Sequence, residues 1–215
     1  MSEGLLFFFR PKRKHVDLII AGLGNPGPRY AHTRHNLGFA VIDKLAKDWT
    51  GEAKWHTATD YLFLEGSHEG KSFILIKPTT FMNLSGNAIR KVGRKYNLSP
   101  EKLIVIHDDL DVAYGRVKMK LGGSPAGHKG VGSIAGRLGT LDFHHVKMGI
   151  GLEGVKGGEN YVLEQLTNAE WSEFEPAIEL ACEGLNIFLT AGAGEAQQYI
   201  NTHGKAVGNA QGGRM

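Results

Sequence analysis

Two apolar runs limit what this chain can fold into: VDLIIAGLG (16 to 24) and KLIVIHDDLD (102 to 111), each rich in β-branched residues. A strand with one wet face alternates apolar and polar residues. A run that is apolar at nearly every position must be covered on both sides, as in the middle of a parallel sheet. Between the runs, HNLGFAVIDKLAKDW (35 to 49) places Leu37, Val41, Leu45 and Trp49 four residues apart with charged residues between them, which predicts an amphipathic helix. Strand, glycine-rich turn and helix form the first unit. YLFLE and SFILIK around a His-Glu-Gly turn predict a hairpin, and GNAIRKVGRKYNL predicts a helix closed before Ser-Pro. RVKMKL and HHVKMGIG read as alternating strands, GHKGVGSIAGRLG as a small glycine-rich helix, and 168 to 199 as mostly helical, with Pro176 near a start or kink. The expected fold is α/β: a single domain whose mixed, mostly parallel central sheet is flanked by helices on both faces. Such sheets hold ligands outside the carboxyl ends of their strands, so the chemistry is expected after LIIAG, FILIK and LIVIH and in the glycine-rich loops.

A length of 215 residues, at about 150 per domain, allows one well-cored domain. It is expected over 16 to 203, between a flexible extension (1 to 15) and a flexible tail (204 to 215). With 41% hydrophobic and 22% charged residues the chain is neither disordered nor collagen-like. Its one cysteine, Cys182, excludes a disulfide scaffold. It lies in a helical apolar run without a CxxC partner, reads as a core residue and fits a reducing, cytoplasmic setting. No apolar run approaches the ~20 residues of a membrane span, so no membrane contact is expected. In MSEGLLFFFRPKRK the apolar cluster precedes the basic one, the reverse of a signal peptide. A net charge of +3 permits an anionic partner without requiring one. The 30 glycines are about twice the usual ~7%, which means special turns or backbone that approaches something closely.

Four stretches carry candidate chemistry. GLGNPG after the first strand matches GxGxxG, but Pro26 and Pro28 delay the helix and no acid closes a second strand about 20 residues on, so a dinucleotide site is rejected. What remains is Asn25 on a stiff Pro-Gly turn, suited to holding hydrogen bonds in one orientation. His32, Arg34, His35 and Asn36 end that loop, and His107-Asp108-Asp109-Leu110-Asp111 concentrates acids at the end of a buried strand. A carboxylate beside an imidazole fixes its tautomer and stabilises its protonated form, as a histidine base requires. His32 and His35 with Asp108 or Asp109 would also be a ligand set, but the H-x-x-H is on a loop and no second ligand motif accompanies it, so no metal is expected. PTTFMNLSG (78 to 86) offers an apolar surface and an amide at one point, able to stack on a base while bonding a carbonyl; a buried Phe-Met pair with an Asn cap is the plainer alternative. Lys118, Lys120 and GGSPAGHKG, followed by Arg137 and Lys147, read as an anion cradle, against a merely solvated basic face.

Together GLGNPGPRYAHTRHNLGF, KPTTFMNLSG, VIHDDLD, KLGGSPAGHKG and MGIG resemble, in order and at matching separations from about 17 to 200, the bacterial peptidyl-tRNA hydrolase family. The resemblance implies hydrolysis of the ester between an N-blocked peptide and the 3′ end of tRNA by a monomer without metal or cofactor. His35 would be the general base and Asp108 its orienting partner. Asn25 would distinguish blocked amines from free ones. Tyr30, Phe81 and Asn83 would contact the 3′ CCA end, Asn83 or nearby amides would polarise the ester carbonyl, and Met82 would supply an apolar wall. Lys120 and Lys147 would clamp a phosphate of the acceptor stem, although the family usually has arginine at the second position and a bidentate contact becomes a point charge.

One departure stands out. Where the family has G-H-N-G, this chain has Lys129 after His128. The expectation is altered substrate binding with the chemistry intact, the lysine reaching a phosphate or pairing with an acid in the free enzyme. Ser124-Pro125, in place of the family's usual glycine and histidine, is expected to stiffen the same loop, and 152 to 165 is expected to form a mobile lid. The competing class is a non-catalytic, splicing-factor-like RNA-binding protein on the same scaffold. The mild charge and the lack of a transit-like leader argue for the enzyme.

Overall fold

The computed structural model describes residues 14–52, 54–154 and 158–204. Residues 1–13 of the expected extension, 205–215 of the expected tail and 155–157 of the expected lid lie outside them. In order, the described chain runs β1 (Leu18–Gly22), α1 (Leu37–Thr50), β2 (His56–Thr57), β3 (Tyr61–His68), β4 (Lys71–Pro78), α2 (Ser85–Tyr96), β5 (Leu103–Ala113), β6 (Val117–Leu121), α3 (Lys129–Leu138) and β7 (His144–Gly151). Then come α4 (Glu159–Leu163), α5 (Asn168–Ser172), α6 (Glu175–Ala191) and α7 (Ala193–His203). The strands form one sheet in the order β2-β3-β4-β1-β5-β7-β6. Its four central strands, β4-β1-β5-β7, are parallel; β2 and β3 on one side and β6 on the other are antiparallel, so the sheet is mixed.

β1 explains the unbroken apolar run. Leu18 and Ile20 face the core under α1 and α6, while Ile19 and Ala21 face the one under α2 and α3. Covered on both faces, each large apolar side chain contributes about 1.5–3 kcal/mol over its exposed state. The β3–β4 hairpin turns at Glu69 and Gly70, whose φ of 48° and 73° fit the left-handed pair of a two-residue turn. Pro176 sits in the first turn of α6, where its missing N–H has no partner to lose. Cys182 is buried on α6 against the Val41 carbonyl, and burial pushes its thiol up to about 12, as suits a core residue.

One close approach positions the site. A Cβ on Gly22 would lie 2.1 Å from the Gly38 carbonyl oxygen, and one on Gly38 would lie 2.5 Å from that of Ile106. Only glycine lets α1 begin directly on the ends of β1 and β5. Pro28 opens a first 3-10 turn (Pro28–Tyr30), and a second at Arg34–Asn36 leads into α1. Residues 34–36 therefore sit over the carboxyl ends of the central strands. No helix among the described residues is long and apolar enough to cross a membrane.

Candidate active site

The ends of β1, β4 and β5 and the starts of α3 and α4 enclose a cavity of about 590 Å³. Asn25, Tyr30, His35, Phe81, Met82, Asn83, Asp108 and Lys129 all line it. Phe81 is 60% exposed and Met82 is buried, so the plain reading of a buried Phe-Met pair fails for the phenylalanine.

Asp108 is buried at the back of this cavity and receives two imidazoles. His35 Nδ1 lies 2.8 and 3.0 Å from its two oxygens, and His128 Nε2 lies 3.0 Å from Oδ1. The tautomers follow from the other bonds. His128 caps α3, its Nδ1 accepting from the amides of Gly130 (3.1 Å) and Val131 (3.2 Å), so its hydrogen is on Nε2 and points to Asp108. His35 donates from Nδ1 to the same carboxylate, which leaves Nε2 with a lone pair on a ring that faces the cavity. Burial alone would raise the Asp108 carboxyl, but electrostatic attraction to the His128 ring and its hydrogen bond, then those of the His35 ring, hold it far below the usual carboxylate range. The donor atoms of His35, Asp108 and His128 lie within 4.8 Å of one another, near enough to ligate a cation that displaced both imidazole hydrogens. His32 is no part of this set: it precedes the 3-10 turn, is exposed and stacks on Trp171 at 4.9 Å.

Asn25 is fixed at three atoms. Its amide donates to Asn36 Oδ1 (2.8 Å), its carbonyl accepts from Asn36 Nδ2 (3.0 Å), and its Oδ1 accepts from the Met82 amide (2.9 Å). With Oδ1 so engaged, Nδ2 is the group left for a ligand. The sequence reading assigned no site role to Asn36 or His128; an asparagine and a histidine at helix starts were the available signals. Nor did it foresee Arg34, whose buried guanidinium lies over the Tyr161 ring at 4.0 Å and bonds the Tyr161 carbonyl (2.9 Å) and Glu164 (2.6 Å). That contact ties the turn bearing His35 to α4, the wall opposite Phe81.

The predicted anion cradle is corrected. The first amides of α3 are taken by the His128 ring, and Gly123, with φ of 123°, leaves room for the Lys120 ammonium, whose Nζ would lie 2.1 Å from a Cβ there. Lys120 and Lys147 do not line the His35 cavity. They line a second recess of about 480 Å³ with Arg116 and Lys118. In it Lys147 is nearly buried and paired with Asp109 at 2.5 Å. Lys129 has the acid partner that was one of its two expected fates: its ammonium meets Glu159 at 2.9 Å. Behind Asp108, His107 Nδ1 lies 2.9 Å from the Asp108 carbonyl oxygen and Nε2 lies 3.2 Å from His145. Burial holds His107 well below the ordinary imidazole range and lowers His145 to about 4.

Comparison with known proteins bears on the family and the fold. A family model described as peptidyl-tRNA hydrolase matches residues 19–209. A curated peptidyl-tRNA hydrolase from Thermodesulfovibrio yellowstonii is 43% identical over 186 residues, 86% of this chain and 98% of the relative. One from Mycolicibacterium smegmatis is 40% identical over 86% of this chain and 97% of its own length. The crystal structure of peptidyl-tRNA hydrolase from Acinetobacter baumannii is similar with a TM-score of 0.78 at 31% identity, over 87% of this chain and 97% of that one. The chain belongs to the peptidyl-tRNA hydrolase family.

Proposed function

We propose that this chain hydrolyses the ester bond between an N-blocked peptide and the 3′ oxygen of tRNA, with His35 as general base. The reading is carried by one observation: His35 Nδ1 lies 2.8 Å from the buried Asp108 carboxylate in a ring that lines the cavity, so with Nδ1 donating, Nε2 is the nitrogen left to accept a proton. Water beside Nε2 loses a proton to it as the oxygen attacks the ester carbonyl. The tetrahedral oxyanion is held by amide donors, with Asn83 at the cavity wall. The imidazolium, stabilised by Asp108, then returns the proton to the departing 3′ oxygen, releasing peptide acid and free tRNA. Asn25 Nδ2 reads the carbonyl of the blocked amine, Tyr30 and Phe81 take the terminal adenosine, and Met82 forms the apolar floor. Lys120, with Lys118 and Arg116, faces acceptor-stem phosphates, and Lys147 serves that recess through its pair with Asp109. No step draws on a cofactor. The protein acts as a monomer, and the substrate is one of translation in the cytoplasm.

Release of free tRNA from N-acetyl-aminoacyl-tRNA, without added metal or nicotinamide, tests the reading. His35→Ala is expected to lower turnover on the order of 10²- to 10⁴-fold while tRNA affinity is kept. Equal losses in both contradict the base assignment, and RNA binding without release from the parent chain favours the non-catalytic scaffold.

A further inference from the structure

Lys129 and Glu159 face each other across the cavity mouth, Lys129 opening α3 and Glu159 opening α4. Their side chains are 60% and 67% exposed. An ion pair this wet is held weakly, because water solvates both partners almost as well as they solvate each other. A phosphodiester entering the mouth offers Lys129 an equivalent anion and returns Glu159 to water at little cost. The exchange is made again when the RNA leaves.

Resting on the hydrolase reading, we infer that Glu159 is a specificity-determining residue: it competes with a phosphodiester of the RNA for Lys129, tempering affinity for substrate and deacylated product alike. Lys129 and Glu159 are exposed at the rim and bonded to each other, whereas His35 is bonded to Asp108; Glu159 feels His35 only through space, the weakest of the influences on its carboxyl. Their exchange therefore changes ground-state binding, which appears in KM and in product inhibition, and leaves the chemical step alone. It also distinguishes ligands, because one that carries a phosphodiester can claim the lysine and an uncharged one cannot.

The test compares two N-acetyl-aminoacyl esters at low salt, one on a CCA oligonucleotide and one on adenosine, which has no phosphodiester. E159Q is expected to lower KM for the oligonucleotide ester about 1.5- to 5-fold, the range of exposed ion pairs, with kcat held. KM for the adenosine ester stays at the parent value. K129Q raises KM for the oligonucleotide ester, and adding E159Q to K129Q changes nothing further. The difference shrinks by about 0.5 M salt, where screening reaches within a few ångströms. Inhibition by deacylated CCA oligonucleotide shifts by the same factor as KM. Equal lowering of KM for both esters, or the same E159Q shift in the K129Q background, overturns the proposal, since either means the mouth is merely widened. Were neither ester hydrolysed, the hydrolase reading would fail on its own. Direct binding of the oligonucleotide would still decide the exchange: tightening by E159Q that depends on Lys129 supports it, and its absence overturns it.

Discussion

Asp108 and Asp109 are neighbours on β5, both almost fully buried, yet they are engaged by opposite kinds of group. Asp108 accepts from two imidazoles whose tautomers are fixed by their other bonds. Asp109 takes the Lys147 ammonium at 2.5 Å and the Asp111 amide at 2.8 Å. The first carboxylate keeps a base oriented while leaving its far nitrogen free. The second neutralises a cation and removes it from use. On the proposed reading, consecutive acids within β5 thus serve chemistry and architecture separately, according to what the neighbouring strand and loop bring to each face.

The comparison breaks first at Asp108→Asn. The amide can keep one oxygen where Oδ1 now accepts from both rings, but it sets an NH2 group against His35 Nδ1 and loses the charge that stabilises an imidazolium. A fall in kcat on the order of 10²- to 10⁴-fold is expected, read on protein that circular dichroism shows to be folded. If kcat stays near the parent value, the two acids do not divide the labour as described.

Asp109→Asn should do the reverse. It leaves the Lys147 ammonium nearly buried beside a neutral amide, a loss of roughly 3–5 kcal/mol in denaturant unfolding, with kcat within a few-fold of the parent. Equal stability with a collapsed kcat would place Asp109 in the chemistry instead.

How much of this division was legible in the sequence depended on distance along the chain. The strands of the parallel centre and α1 could be read because their periodicity is local, and His35, Asp108 and Asn25 stood out as polar residues at the ends of apolar runs. The Lys147–Asp109 pair could not be read. It arises from the β5–β7 register, which sets His107 beside Lys147 and Asp109 beside Gly149, so that the lysine reaches its acid diagonally. His128 was hidden by its own motif: the glycines around it suggested an open anion cradle, whereas its ring occupies those amides. The glycine excess was legible as close approach but not as approach to what; at Gly22 and Gly38 the thing approached is the chain itself.

The two imidazoles behind Asp108 sharpen the comparison by pH. Burial keeps His107 and His145 neutral in the fold, so their folded pKa values lie below the unfolded value of about 6.5. The unfolded chain therefore binds a proton first, and the stability they contribute is full above about pH 6.5 and is lost as pH falls through their folded values, about 4 for His145. Each adds a slope of up to about 1.4 kcal/mol per pH unit. The low carboxyl of Asp108 has the same sign but a lower window, below about pH 3.9, its ordinary unfolded value. His145→Gln, which keeps a partner for His107, should flatten unfolding free energy against pH by about one proton between 6.5 and 4. An unchanged slope would mean that His145 is protonated in the fold.

The smallest effect separates Lys120 from Lys147 in the second recess. A lysine free to meet phosphate releases a counterion when RNA binds, and its removal lowers the slope of log affinity against log salt by about one. Lys147 has already given its charge to Asp109, whereas Lys120 rests its ammonium against the bare backbone of Gly123. Lys120→Gln should therefore reduce the salt slope for tRNA by about one and weaken binding a few-fold at low salt. Lys147→Met, read on protein still folded, should leave that slope unchanged, because it removes a charge that Asp109 had cancelled. Equal slopes lost in both variants would mean that RNA draws Lys147 away from its acid, and the architectural role of Asp109 would then hold only in the free enzyme.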